Sequence, residues 1–167
     1  MLEVFYPDEL QDSAFDLDYE AYAKAGYKAI LFDIDNTLVP HGAPADDRSV
    51  ALFARLRELS FKTCLVSNNK EPRVKPFADR VGSAYLCKAG KPFKRGYEEA
   101  MRLLGSDADT TLVIGDQIFT DIWGARLLGI HTILTRPIHP KEEIQIVLKR
   151  YLEKIVLWFY HKRKRNG

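Results

Sequence analysis

Apolar and polar residues alternate in blocks along most of this chain. Residues 29–34 are a compact apolar run that ends in acids, the pattern of a buried strand. Over residues 46–59, Val50, Phe53, Leu56 and Leu59 fall on one helical face. Residues 63–66 are rich in β-formers and read as a second strand. Residues 71–81 read as a helix with Pro72 in its first turn, and residues 83–86 as a short third strand. Residues 92–104 form a helical pattern closed by Gly105, followed by a fourth strand over 111–114. A helix over 119–128, closed by Gly129, leads to a fifth strand over 131–134. Residues 4–27 read as an irregular or short helical lead-in. Strands alternating with helices predict βαβ units and a three-layer α/β fold on a parallel sheet of about five strands. The expected division is a lead-in over 1–28 packed on a core of 29–140, then a basic amphipathic helix and tail over 141–167.

In parallel sheets of this kind, ligands bind beyond the carboxyl ends of the strands. The residues just past each predicted strand therefore carry the functional expectation. Asp33 and Asp35 follow the first strand, Ser67, Asn68 and Asn69 the second, and Asp116 and Asp121 the fourth. Lys91 stands at the mouth of the helix that follows the third strand. Lys88 is its rival three residues earlier, and Lys91 is preferred because Pro92 begins the helix. Period-two geometry puts Asp33 and Asp35 on the same side. Two carboxylates that close repel unless a cation lies between them. A hard dication such as Mg²⁺ takes oxygen ligands and suits the pair.

Acids, a hydroxyl and a lysine at strand ends suit phosphoryl transfer, where catalysis is mostly positioning and charge neutralisation. One carboxylate can attack phosphorus, and a second can protonate the leaving oxygen and then activate water. Two other classes share some of these residues. A phosphoacceptor signalling module also groups Asp, a hydroxyl and Lys around Mg²⁺, but there the lysine does not precede the last acid pair. A non-catalytic scaffold would have no need for the full set of acids.

Taken in order, D-x-D-x-T at Asp33–Thr37, Ser67, Lys91 and G-D-x-x-x-x-D at Gly115–Asp121 resemble the haloacid-dehalogenase-like phosphatases. The variants D-x-D-N-T-L and G-D-Q-x-x-T-D look like the type IIIA branch, in particular its small YqeG-like bacterial members. The mitochondrial phosphatidylglycerophosphatases are similar to that group. The resemblance implies a Rossmann-like core without a cap domain. It implies Asp33 as nucleophile and Asp35 as general acid/base. It implies Asp33, the backbone of Asp35 and Asp116 as magnesium ligands, with Asp121 as an additional acid beside or behind the ion. It also implies that Ser67, with its neighbour Asn68, and Lys91 hold the phosphate. Thr37 and His41 are candidate substrate contacts, although His41 also reads as an exposed turn residue. The intervals from Asp35 to Ser67 and from Ser67 to Lys91 are each filled by one helix and its connections. That leaves no room for a cap, so a bulky or surface-bound phosphate should have access.

Charge sharpens the picture of access. Net charge is +2, but residues 149–167 hold seven Lys/Arg against one Glu, so a +6 tail joins a body of −4. Ile144, Leu148, Tyr151, Leu152, Ile155, Trp158 and Phe159 recur at helical intervals before Lys162-Arg163-Lys164-Arg165. Either the helix docks on the sheet with a solvated basic end, or it meets an anionic membrane surface. Both can hold together, and no nucleic-acid role is expected. The best substrate reading is phosphatidylglycerophosphate, with a soluble sugar phosphate or nucleotide as the alternative. No stretch approaches the ~18 apolar residues of a membrane span, and the first ten residues lack a basic signal-peptide region. Cys64 and Cys87 form no C-x-x-C pair and read as buried thiols of a reducing compartment. The expected location is cytoplasmic, peripheral on the inner face of the membrane.

Overall fold

The computed structural model describes residues 2–139 and 144–166, and among these the side chains of 144–148, 165 and 166 are not described. Six parallel strands form one sheet in the order β1-β6-β5-β2-β3-β4. They are β1 (Glu9–Gln11), β2 (Ala29–Phe32), β3 (Lys62–Val66), β4 (Ala84–Leu86), β5 (Thr111–Gly115) and β6 (His131–Thr135). The helices are α1 (Tyr19–Lys24), α2 (Asp47–Glu58), α3 (Glu71–Val81), α4 (Lys94–Leu104), α5 (Trp123–Arg126) and α6 (Ile144–Asn166). From β2 the chain winds outward through β3 to β4, then returns to the opposite flank of β2 for β5 and β6. The reversal of strand order therefore falls between β2 and β5, where a crevice opens at the strand ends.

Strand β2 is buried on both faces, which is why it reads as an unbroken apolar run. Ile30 and Phe32 pack with Leu52, Phe53 and Leu56 of α2 and Val74 and Phe77 of α3. Ala29 and Leu31 face the other way, against Tyr97, Ala100 and Leu104 of α4. Asp46 caps α2 by accepting the Ser49 N–H at 2.7 Å. Gly82 and Gly105 close α3 and α4 in left-handed conformation, as their positions after each helix predict.

The lead-in differs from expectation. Residues 9–11 add a sixth strand, with Glu9, Leu10 and Gln11 paired to Ile133, Leu134 and Thr135. Three residues are too short to show a period. What fixes the register is Asp8, whose carboxylate accepts the Thr132 N–H at 2.8 Å and the Thr132 hydroxyl at 2.9 Å and pairs with Arg126.

The C-terminal helix α6 docks through Val156, Tyr160 and half-buried Leu157 onto Ile118, Ile122, Leu134, Phe5 and Tyr6. The stripe singled out from the sequence faces the other way: Tyr151, Leu152, Ile155, Trp158 and Phe159 are all exposed. The side chains of Ile144, Leu148 and Arg165 lie outside the described residues. Among the described residues, no helix is long and apolar enough to cross a membrane.

Candidate active site

Asp33 and Asp116 leave neighbouring strands at the crevice. The Asp33 N–H still bonds the Ile114 carbonyl at 3.0 Å, so its position is fixed by the sheet. After Asp116 the chain makes one π-helical turn, Ile118–Ile122, which swings Asp121 back toward the strand end. The Asp121 carboxylate accepts the Gln117 N–H at 3.0 Å. Gly115 makes this return possible, because a Cβ there would come within 2.5 Å of the Asp121 carboxyl. Carboxylate oxygens of Asp33, Asp116 and Asp121 thereby lie within 4.8 Å of one another. Thr37 joins two of them, its hydroxyl 3.3 Å from Asp33 and 3.2 Å from Asp116.

Lys91 enters from the turn before α4. Its ammonium bonds Asp33 at 2.6 Å and Asp121 at 2.7 Å and is almost wholly buried. Lys88, the rival, is exposed. The side-chain amide of Asn68 grips Lys91 at both ends, accepting its N–H at 2.7 Å and donating to its carbonyl at 3.0 Å. The side chain of Asn68 thus positions the lysine. Gly124 lets the next helix press against this turn, since a Cβ there would lie 2.1 Å from the Pro92 carbonyl.

The electrostatics are those of a site built around positive charge. Burial lifts the Asp33 carboxyl to about 6; Asp121 and Asp35 add to the rise and Lys91 opposes it. Burial, then Asp33 and Asp121, hold Asp116 well above the ordinary carboxylate range, with Arg150 opposing. Burial alone would pull Lys91 down, but Asp121 and Asp33 outweigh it and push its pKa up, so it stays charged. Three crowded carboxylates, two of them raised, are a donor set that a hard dication fits, because its charge favours the ionised forms. Among the described residues, the side chains of Asp33, Asp116 and Asp121 are placed to hold it.

Asp35 stands apart from this cluster. Strand β2 ends at Phe32, so the period-two expectation no longer applies beyond it. The chain coils instead, with Asn36 in left-handed conformation and the Thr37, Leu38 and Val39 N–H groups all directed at the Ile34 carbonyl. The Asp35 carboxylate points to the rim and accepts from the Gly42 N–H at 2.8 Å, Asn69 at 2.7 Å and Arg73 at 3.0 Å. The carboxylate neighbours of Asp33 are therefore Asp116 and Asp121, in place of the expected Asp35. Ser67 is buried at the end of β3, its hydroxyl accepting the Asn69 N–H at 3.1 Å. His41 is exposed on the loop that carries Gly42.

Arg150 is the contribution the motifs do not contain. From α6 its guanidinium reaches both the carboxylate and the carbonyl of Asp116, and bonds Glu153 at 3.0 Å. Glu153 is buried and accepts the Ile118 N–H at 2.7 Å, the first donor of the turn that carries Asp121. Helix α6 thus closes one side of the carboxylate cluster.

Residues 43–129, just over half of the chain, match the haloacid dehalogenase-like hydrolase family. The chain belongs to the haloacid dehalogenase-like hydrolases. It is 35% identical over 159 residues to the probable phosphatase YqeG of Bacillus subtilis, covering 94% of this chain and 92% of that protein. It is 28% identical to phosphatidylglycerophosphate phosphatase 1, chloroplastic/mitochondrial, of Arabidopsis thaliana, covering 83% of this chain but 45% of the plant protein. The fold is shared with the 3-deoxy-D-manno-octulosonate 8-phosphate phosphatase of Moraxella catarrhalis, at TM-score 0.51 and 14% identity over 72% of this chain and 84% of that one.

In this haloacid dehalogenase-like hydrolase the matched stretch includes Ser67, Lys91, Asp116 and Asp121, while Asp33 and Asp35 precede it. The fold brings together Asp33, Thr37, Lys91, Asp116 and Asp121, and leaves Asp35 and His41 at the rim. Arg73, Arg150 and Glu153 are the site residues that motif reading missed. For Arg73 a signal was present, since it lies in the first turn of the helix that follows β3. For Arg150 and Glu153 the only signal is two opposite charges three residues apart on a helix, which is common on solvated faces.

Proposed function

We propose that this hydrolase is a magnesium-dependent phosphomonoesterase in which Asp33 is the nucleophile. The observation that carries the reading is the buried Asp33–Asp116–Asp121 cluster with Lys91 fixed between two of its members. An Asp33 oxygen attacks phosphorus, the ester P–O bond breaks, and the leaving oxygen takes a proton from Asp35. Asp35 turns from Gly42 and Arg73 to do so. It then accepts a proton from the water that attacks the aspartyl phosphate, which frees Asp33 and inorganic phosphate. Asp33, Asp116 and the backbone of Asp35, with Asp121 beside them, would hold magnesium, which when bound would supply charge neutralisation at the phosphoryl oxygens. Lys91 and Ser67 hold those oxygens, Asn68 keeps Lys91 in place, Thr37 fixes the Asp33 and Asp116 carboxylates, and His41 meets the substrate at the rim.

The proposed substrate is phosphatidylglycerophosphate. The name of one relative, the phosphatidylglycerophosphate phosphatase 1 of Arabidopsis thaliana, supports it. So does the open rim: α2, β3 and their connections are all that intervenes between Asp35 and Ser67. The outer face of α6 adds exposed Tyr151, Leu152, Ile155, Trp158 and Phe159, with Lys154 over Tyr151 and Lys162 over Trp158. Aromatics beside a basic cluster suit an anionic bilayer, where each basic residue contributes ~1 kcal/mol. Docked this way, the protein works from the cytoplasm on the inner face of the membrane. The division into lead-in, core and membrane-facing tail belongs to the same proposal.

The test is phosphate release with Mg²⁺ from phosphatidylglycerophosphate in mixed micelles, beside a panel of sugar phosphates and nucleotides. The lipid phosphate should be the preferred substrate, activity should vanish in chelator, and Ca²⁺ should inhibit because it prefers more ligands at longer distances. Full activity in excess chelator contradicts the metal. Preference for a soluble phosphate contradicts the lipid. Flotation with anionic vesicles should weaken when Lys162, Arg163, Lys164 and Arg165 become serine, and wild type that ignores such vesicles at low salt contradicts the membrane contact.

A further inference from the structure

Arg73 holds Asp35 by half of what a guanidinium can offer. One Asp35 oxygen accepts from the Asn69 amide, and the other from both the Gly42 N–H and one terminal nitrogen of Arg73. A planar guanidinium forms a fork that matches two oxygens of one anion. Asp35 gives it a single oxygen, because its second is taken by Asn69. The Nε–H of Arg73 is buried and has no hydrogen-bond partner among the described residues. A buried donor left in this way is uncommon in a folded protein and marks a place where a partner is missing.

Arg73 is fixed yet reachable. It stands in the first turn of α3, its guanidinium 5.7 Å from the ring centre of buried Phe77. Its side chain keeps 20% exposure, so an anion can approach it from the rim. Two exposed lysines flank Asn69: Lys70 follows it in the chain, and the Lys88 N–H bonds its carbonyl at 2.8 Å. Exposed His41 precedes Gly42 on the facing loop. Besides Asp35, the acid at this end of α3 is Glu71, which is exposed and accepts the Tyr85 hydroxyl at 2.8 Å.

We propose that Arg73 is a specificity residue that binds a second anionic group on the leaving alcohol, a phosphodiester in the proposed lipid. A diester has two unesterified oxygens to give the fork, where Asp35 gives one. The exchange frees Asp35 to turn to the leaving oxygen, so substrate and general acid trade places on one guanidinium. Through Asp35, Arg73 and the leaving oxygen are two hydrogen bonds apart, about 6 Å. A three-carbon link between the two phosphates spans that gap. An alcohol without the anion leaves Asp35 latched to Arg73. The role of Asp35 rests on the phosphatase reading.

The test compares two soluble esters with Mg²⁺: glycerol 3-phosphate, and glycerophosphoglycerol phosphate, the deacylated form of the proposed lipid. Neither forms a membrane surface, and only the second carries a phosphodiester. Arg73→Gln removes charge and fork, while Arg73→Lys keeps the charge and loses the fork. Wild type should prefer the diester-bearing ester in kcat/KM by about tenfold, the worth of one charge-assisted contact. That ratio should collapse in Arg73→Gln and fall by several fold in Arg73→Lys. In Arg73→Gln the turnover of glycerol 3-phosphate should rise, because Asp35 is released. Equal losses for both esters would mean that Arg73 serves Asp35 alone, and overturn the proposal. Wild type that hydrolyses both esters equally also overturns it, and leaves the phosphatase reading intact. Calorimetry with glycerophosphoglycerol phosphate on Asp33→Asn, with and without Arg73→Gln, gives a readout independent of turnover. Binding should weaken about tenfold with the second substitution, and unchanged binding overturns the proposal. Weakened binding, with no turnover of either ester by wild type, supports the subsite on Arg73 and overturns the phosphatase reading.

Discussion

Two cations meet the carboxylate cluster at different members, Lys91 at Asp33 and Asp121 and Arg150 at Asp116, and they are held in different ways. Lys91 is 4% exposed, bonded to two carboxylates, with its backbone clamped by Asn68. Arg150 is 17% exposed and hangs from a helix whose docked face is Val156, Tyr160 and half of Leu157. The lysine comes from a turn between two core elements, so it is a permanent part of the site's charge. The arginine arrives with a peripheral helix and holds Asp116 in the place where a metal ion would compete for it. The comparison separates the charge that builds the site from the charge that a ligand can displace.

The largest effect should follow from breaking the fixed side. Lys91→Met leaves Asp33 and Asp121 buried and facing each other without their cation. Removing one partner of a buried ion pair costs about 3–5 kcal/mol. Chemical denaturation in chelator should show a loss of that order, with hydrolysis abolished. A loss below about 1 kcal/mol, the value of an exposed pair, would mean that Lys91 is not the buried keystone described.

The pH dependence comes next. The Asp33 carboxyl is raised to about 6 from an ordinary 3.8, chiefly by burial. Between those values the folded protein binds the proton more tightly than the unfolded chain, so stability falls as pH rises and levels off above about 6. The contribution is at most about 3 kcal/mol. In chelator, wild type should lose stability relative to Asp33→Asn across that window and run parallel to it above. Magnesium should add stability at neutral pH and less below about 6, because protons compete for its ligands. Parallel curves throughout would contradict the raised Asp33.

Breaking the displaceable side should have the smallest effect. Arg150→Ala removes a competitor for Asp116, so the apparent Mg²⁺ affinity should rise by a few fold, on the order of 1 kcal/mol or less. Titration calorimetry measures it directly. Weaker Mg²⁺ binding in Arg150→Ala would show that the arginine supports the metal site instead of competing with it.

The same contrast explains what could be read from the sequence. Strands β2, β3 and β5 are buried on both faces and appear as apolar runs, so the residues just past them were legible as a site. Glycines and prolines punctuate α3 and α4, and their limits match the sequence pattern closely. Strand β1 was hidden because its three residues carry no period and its register depends on Asp8 meeting Thr132. The orientation of Asp35 was hidden because Asn36 breaks the strand geometry that had been extended to it. In α6 the exposed stripe is more apolar than the docked face, and the docked face includes Glu153. Hydrophobic periodicity therefore marked the exposed side and not the docked one, and Arg150 was not seen.

The central claim is that Asp33 attacks phosphorus while the cluster holds a dication. Acid quenching of wild type with Mg²⁺ and phosphatidylglycerophosphate, followed by intact-protein mass spectrometry, addresses it directly. The account predicts a species heavier by one phosphoryl group, located on Asp33 by peptide mapping. That species should be absent in chelator and in Asp33→Asn, and the variant should turn over at less than about a tenth of the wild-type rate, the loss expected when the nucleophile is removed. Steady turnover by Asp33→Asn, or a phosphoryl group found on another residue, would contradict it.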